Sequence, residues 1–86
     1  MNEKTGAKWV EHKKKLDKLF VFGSFTEAMG FMLRVSYECE RANHHPEWKN
    51  VYNKIWVSLS THDAGKVTQK DRDLAKKMDQ IYKQLS

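Results

Sequence analysis

The hydrophobic positions fall into stretches whose spacing dictates secondary structure. From Trp9 to Phe22 the chain is rich in strand formers, with Leu16, Leu19, Phe20, Val21 and Phe22 close together. Gly23 cuts the run off before a helix could develop, which predicts two short strands near residues 9–13 and 16–22. Ser24 and Glu27 then have the spacing of a capping box, and a helix is expected to start there. Behind them Phe25, Ala28, Met29, Met32, Val35, Ser36 and Cys39 recur at helical spacing on one face, while Glu27, Arg34, Glu38 and Arg41 point away. The helix is expected to end near Ala42, ahead of Asn43, because Pro46 forbids its continuation.

The next stretch changes period. Ile55, Val57 and Leu59 alternate with Trp56, Ser58 and Ser60, as a strand with one face on a core requires. Trp48 to Tyr52 supplies the preceding strand, with Asn53 and Lys54 turning the hairpin. Beyond Gly65, Thr68 is placed to cap a second helix with Asp71 at its favourable N-terminal end. Leu74, Ala75, Met78, Ile81, Tyr82 and Leu85 form that helix's buried stripe. The order ββαββα, with two single-faced helices and four short strands, predicts an α+β fold. A four-stranded antiparallel sheet with both helices packed on one face satisfies every apolar stripe. Residues 1–8 read as an N-terminal tail and residues 9–86 as a single domain.

Composition narrows the classes. With 86 residues, 40% hydrophobic and 31% charged, the chain has room for one small core and none of the bias of a disordered segment. Its single cysteine, Cys39, excludes an intrachain disulfide framework and any CxxC motif, which fits a reducing compartment such as the cytoplasm. No apolar run reaches the roughly 18 residues of a membrane span, and the N-terminus lacks a signal-peptide core. The formal charge of +5 raises the question of a polyanionic partner, with Lys13, Lys14, Lys15 and Lys18 as the candidate patch. Only three of the 16 basic residues are arginine, and no aromatic RNA-binding signature accompanies them. Nucleic-acid binding is therefore disfavoured, and the lysines read as a solvated, guarded strand edge.

The chemistry concentrates in the histidines. His12 stands alone, whereas His44 and His45 are adjacent at a helix exit and His62 ends the last strand. A helix-to-strand loop and a strand terminus commonly meet at one edge of such a layer. His44, His45 and His62 can then converge, with Glu40 one turn before His44 and Asp71 at the next helix start. Imidazoles separated in sequence can supply both an acid and a base near neutral pH, with neighbouring carboxylates fixing their tautomers. The same residues also fit a polar helix terminus and an ordinary loop histidine. Zinc binding is disfavoured, since adjacent histidines tend to point apart and no HExxH or HxH pair is present. Cys39 falls on an apolar helix face, as a small core residue does.

Three segments together resemble the pterin-4a-carbinolamine dehydratase family. They are ERANHHPEWKNVY over residues 40–52, LSTHDAG over 59–65 and TQKD over 68–71, followed by Leu74 and Ala75. The acidic residue, the three-residue gap, the HHP tripeptide, Tyr52, His62 and Asp71 occur in the family's order and spacing, and the likeness runs from about Trp9 to Ala75. One departure is visible: members usually carry a further N-terminal helix, and only eight residues precede Trp9.

The resemblance implies dehydration of 4a-hydroxytetrahydropterin (4a-hydroxytetrahydrobiopterin) to the quinonoid dihydropterin, in recycling of the pterin used by aromatic amino-acid hydroxylases. It implies no cofactor and no metal. His44 and His62 take the acid and base roles and His45 holds the pterin. Substrate contacts fall on Asn43, His44, His45, Ser60, Thr61, His62 and Asp63, and Glu40 and Asp71 orient imidazoles. A homodimer is expected because short strands leave exposed edges, and family members also form tetramers. Two other functions compete: a non-catalytic dimerisation or assembly partner on the same fold, and a dehydratase for a different carbinolamine.

Overall fold

The computed structural model describes residues 8–85, so the tail expected over residues 1–8 lies outside the described residues except for Lys8. Strands β1 (Val10–His12) and β2 (Lys15–Val21) are followed by helix α1 (Phe25–Ala42). Strands β3 (Glu47–Val51) and β4 (Lys54–Leu59), a 3-10 turn at His62–Ala64 and helix α2 (Gln69–Leu85) complete the order. The four strands form one antiparallel sheet in the order β1-β2-β4-β3. This is the ββαββα, α+β architecture that the hydrophobic pattern predicts.

The register explains where the core sits. Leu16 faces Leu59, Phe20 faces Ile55 and Trp48 faces Val57. Directly opposed residues share a face of the sheet, so these side chains all point to one side, where both helices cover them. Leu74, Ala75, Met78 and Ile81 of α2 and Ala28, Phe31, Val35 and Cys39 of α1 close the same core. Phe31 packs at a tilt against Phe20 and Phe22 with ring centroids 4.8 and 5.1 Å apart, and Tyr82 meets the Phe20 and Phe22 rings edge-on. The Tyr82 hydroxyl donates to the Val21 carbonyl at 2.6 Å, tying α2 to the end of β2.

Several expectations need correction. The buried line of α1 runs through Phe31, which the sequence reading passed over, whereas Phe25 is 48% exposed. Phe31 takes the centre of the interface, against the Phe20 and Phe22 rings, and with Phe31 seated there Phe25 falls at its edge. The β3–β4 turn consists of Tyr52 and Asn53 rather than Asn53 and Lys54, because Val51 pairs directly with Lys54. Tyr52 takes the left-handed conformation, φ 53°. Asn53 is occupied in clamping the end of β2, its side chain donating to the Phe22 carbonyl at 2.7 Å. The lysine cluster is not one solvated edge. Lys13 and Lys14 form the β1–β2 turn, and Lys15 pairs with Glu47 at 3.0 Å. Lys18 turns inward to Asp79 at 2.8 Å, over the ring of Phe20.

Candidate active site

The end of α1 places the first two histidines. Asn43 adopts the left-handed conformation (φ 51°, ψ 46°), and its amide donates to the Glu40 carbonyl at 3.2 Å while the His44 amide donates to the Cys39 carbonyl at 3.0 Å. This is a Schellman stop with asparagine in the position glycine usually takes. It satisfies the last helical carbonyls and fixes the backbone from which His44 and His45 project.

The third histidine is carried by a compact loop. Thr61 pairs with Lys66 as an isolated bridge, its amide donating to the Lys66 carbonyl at 3.0 Å. The Thr61 carbonyl accepts from Ala64 and Gly65 at 3.1 and 2.9 Å. Gly65 closes the turn at φ 66°, a conformation that costs glycine little. The loop thereby displays His62 and Asp63 on its outer side, both exposed. Among the described residues the His62 ring makes no hydrogen bond.

These segments meet. Asn43, His44, His45, Ser60, Thr61, His62 and Asp63 line one cavity of about 320 Å³, and Lys70 from the first turn of α2 completes its wall. All seven residues expected to contact substrate therefore border a single space, at the lower end of the ~300–1,000 Å³ typical of small-molecule sites. Lys70 was not singled out from the sequence, although its place beside Asp71 in the TQKD segment held the signal. A larger depression, about 810 Å³, lies on the uncovered face of the sheet around Trp56, but no histidine lines it.

The two carboxylates expected to support the histidines divide the work. Asp71 is completely buried and lies 2.5 Å from His44 Nε2 through Oδ1. Its other oxygen accepts from the Thr61 hydroxyl at 2.8 Å and from the Thr68 amide at 2.9 Å. Burial pushes this carboxyl up, but the hydrogen bonds from His44, Thr68 and Thr61, with the charge of His44, outweigh it. They hold Asp71 below its ordinary range. Glu40 lies 3.1 Å from His45 Nε2, with both groups largely in solvent. The expectation for Thr68 changes in one respect: its hydroxyl does not cap α2, because it lies 2.6 Å from the Thr61 hydroxyl. Asp71 caps instead, reaching back to the Thr68 amide.

The arrangement presents one buried imidazole held by a carboxylate, one exposed imidazole paired at the rim, and one imidazole with no hydrogen bond among the described residues. Such a set can both donate protons to and accept them from a small ligand in the cavity. Among the described residues no cluster of three or more His, Cys, Asp or Glu side chains has the geometry to hold a metal ion.

Comparison with known proteins gives a consistent picture. The family model described as Pterin 4 alpha carbinolamine dehydratase matches residues 1–81. A protein of Opitutus terrae, named provisionally as a pterin-4-alpha-carbinolamine dehydratase, is 53% identical over 74 residues, covering 85% of this chain and 76% of its own. A similarly named protein of Rhodopseudomonas palustris strain BisB18 is 48% identical over 86 residues, covering 100% of this chain and 85% of its own. Among solved structures, a transcriptional coactivator/pterin dehydratase from Brucella melitensis superposes with a TM-score of 0.83 at 38% identity, over 90% of this chain and 82% of that one. A pterin dehydratase-like protein identified as a RuBisCO assembly factor in the alpha-carboxysome superposes with a TM-score of 0.76 at 22% identity, over 87% and 89% of the two chains. At that identity the second likeness concerns the fold alone.

Proposed function

The chain belongs to the pterin 4 alpha carbinolamine dehydratase family, and from that premise we propose that it dehydrates a 4a-hydroxytetrahydropterin to the quinonoid dihydropterin by histidine acid/base catalysis. The observation that carries the proposal is the meeting of His44, His45 and His62 on one cavity, with His44 held by the buried Asp71.

The chemistry needs two proton transfers. Breaking the C4a–O bond is easier when the leaving hydroxyl is protonated to water, and forming the quinonoid ring requires loss of the ring N–H proton. Imidazoles serve both at neutral pH. Because an ionised Asp71 can only accept hydrogen bonds, His44 Nε2 carries a proton, and Nδ1 is the nitrogen left to exchange one with substrate. His62, whose ring nitrogens make no hydrogen bond among the described residues, is the complementary acid or base. His45, steadied by Glu40 at the rim, holds the pterin. No metal or cofactor takes part in these steps.

Direct assay of dehydration with synthetic 4a-hydroxytetrahydropterin tests the proposal, and turnover well above the uncatalysed rate supports it.

A second reading, a dimerisation or assembly partner, is favoured by the outer face of α1. There Leu33 and Tyr37, four residues apart, are 60% and 63% exposed. Together with β1 and β3, the edge strands of the sheet among the described residues, they also support a homodimer, to be read by light scattering.

A further inference from the structure

We infer that Thr61 is a positioning residue for His44, acting through Asp71, and not a group that contacts the substrate. The inference rests on the dehydratase reading for its kinetic consequences but not for its geometry.

Thr61 borders the cavity, yet each of its polar groups is already committed inside the protein. Its amide and carbonyl close the loop that carries His62, through Lys66, Ala64 and Gly65. Its hydroxyl has one proton, and that proton goes to Asp71 Oδ2 at 2.8 Å. The ionised Asp71 has none to give back. The 2.6 Å contact between the Thr61 and Thr68 hydroxyls therefore has a single direction: Thr68 donates to Thr61, and Thr61 donates to Asp71.

The chain of donors has a structural purpose. A fully buried carboxylate is costly unless its lone pairs are met, and here Oδ2 receives the Thr61 hydroxyl and the Thr68 amide while Oδ1 is left for His44. Two donors on one oxygen fix the plane of the carboxylate. The fixed plane then aims Oδ1 at His44 Nε2, keeps the proton on that nitrogen and turns Nδ1 to the work of the site. Such outer partners commonly set the tautomer and orientation of a functional imidazole. Because Thr61 belongs to the β4 loop, Asp71 to α2 and His44 to the end of α1, the same bonds also hold the His62 loop in register with His44.

The decisive measurement is made on the ligand-free protein. Nitrogen–proton NMR of the histidine rings in wild type is expected to show His44 as the Nε2–H tautomer, with that proton protected from exchange. Thr61→Val should raise its exchange rate at least tenfold or mix the tautomers, and Thr61→Ser, which restores the hydroxyl, should recover the wild-type signals. Where Thr61→Val does not fold, Thr61→Ala carries the same expectation with less bulk, and Thr68→Ala a weaker one. In turnover, Thr61→Val should lower kcat by about tenfold with KM within threefold of wild type, and Thr61→Ser should rescue it. Unchanged His44 ring signals in a folded Thr61→Val or Thr61→Ala, or a raised KM at unchanged kcat, would overturn the inference. Should wild type prove inactive on the pterin, the dehydratase reading fails and the NMR result still decides the role of Thr61.

Discussion

Trp9 and Asp79 are joined across 70 residues of sequence, the indole Nε1–H donating to both carboxylate oxygens at 3.1 Å. Lys18 reaches the same carboxylate at 2.8 Å and lies 5.8 Å from the centre of the Trp9 ring. The three side chains tie the start of β1 and the middle of β2 to α2. Asp79→Ala would leave the Lys18 ammonium, with a side chain only 11% exposed, without its anion. The variant is expected to lose about 1–3 kcal/mol of stability in urea unfolding. Asp73→Asn, whose carboxylate accepts from Gln69 on the exposed face of α2, should change little. Equal unfolding midpoints for the two variants would refute the clasp.

Helix α1 contains a glycine that its geometry does not require. Gly30 lies in mid-helix, and a Cβ added there would meet nothing within 4 Å. Gly30→Ala should therefore stabilise the protein by about 0.5–1 kcal/mol, since alanine has the higher helix propensity and the unfolded chain loses freedom. Met78→Asp on α2 should do the opposite, because Met78 is fully buried and an unpaired charge there costs several kcal/mol. Thermal melts of both variants check the assignment of the two buried faces.

Most of this was legible in the sequence because periodicity reports burial directly. The alternation of Ile55, Val57 and Leu59 and the stripe from Leu74 to Ile81 are buried as their spacing requires. Phe25 and Phe31 show the limit. Both are apolar and lie about 120° apart around the helix, flanking Ala28 and Val35, and it is the Phe20, Phe22 and Tyr82 rings that select Phe31 for the interior. At the site, the convergence of His44, His45 and His62 was readable from their places at element ends. The burial of Asp71 and the turning of the Thr68 hydroxyl towards Thr61 were not. An acidic residue three positions after a threonine reads as an exposed helix cap, and its burial depends on where His44 arrives from α1.

Acid stability should carry the signature of Asp71. Its folded-state carboxyl is held below the ordinary 3.8, so the folded protein binds fewer protons there than the unfolded chain. The stabilisation is complete above an unfolded-state value near 3.8 and is lost as pH falls through the lower folded value. Asp71→Asn should be less stable than wild type at pH 7, with a smaller further loss on acidification. Urea midpoints measured between pH 6 and pH 2 should converge for the two proteins, and parallel curves would contradict the assignment.

Cys39 should be inert while the protein is folded. Burial, followed by the negative charges of Glu40 and Glu38, pushes its thiol up to about 11, so little thiolate exists at neutral pH. A disulfide reagent at pH 7.5 is expected to react with it only at the rate of unfolding and to react promptly in urea. Fast, stoichiometric reaction under native conditions would contradict the burial of this helix face.

The dehydration rate of the His44→Ala/His62→Ala double variant on 4a-hydroxytetrahydropterin tests the central claim most directly. His44→Ala and His62→Ala should each slow turnover by roughly 10²-fold or more, as loss of a positioned acid or base does. His45→Ala should mainly raise KM, and His12→Ala, exposed on β1 away from the cavity, should match wild type. The double variant should fall below either single variant while still melting cooperatively. A double variant as active as wild type would leave the fold standing, remove histidine catalysis from the account and favour the assembly-partner reading.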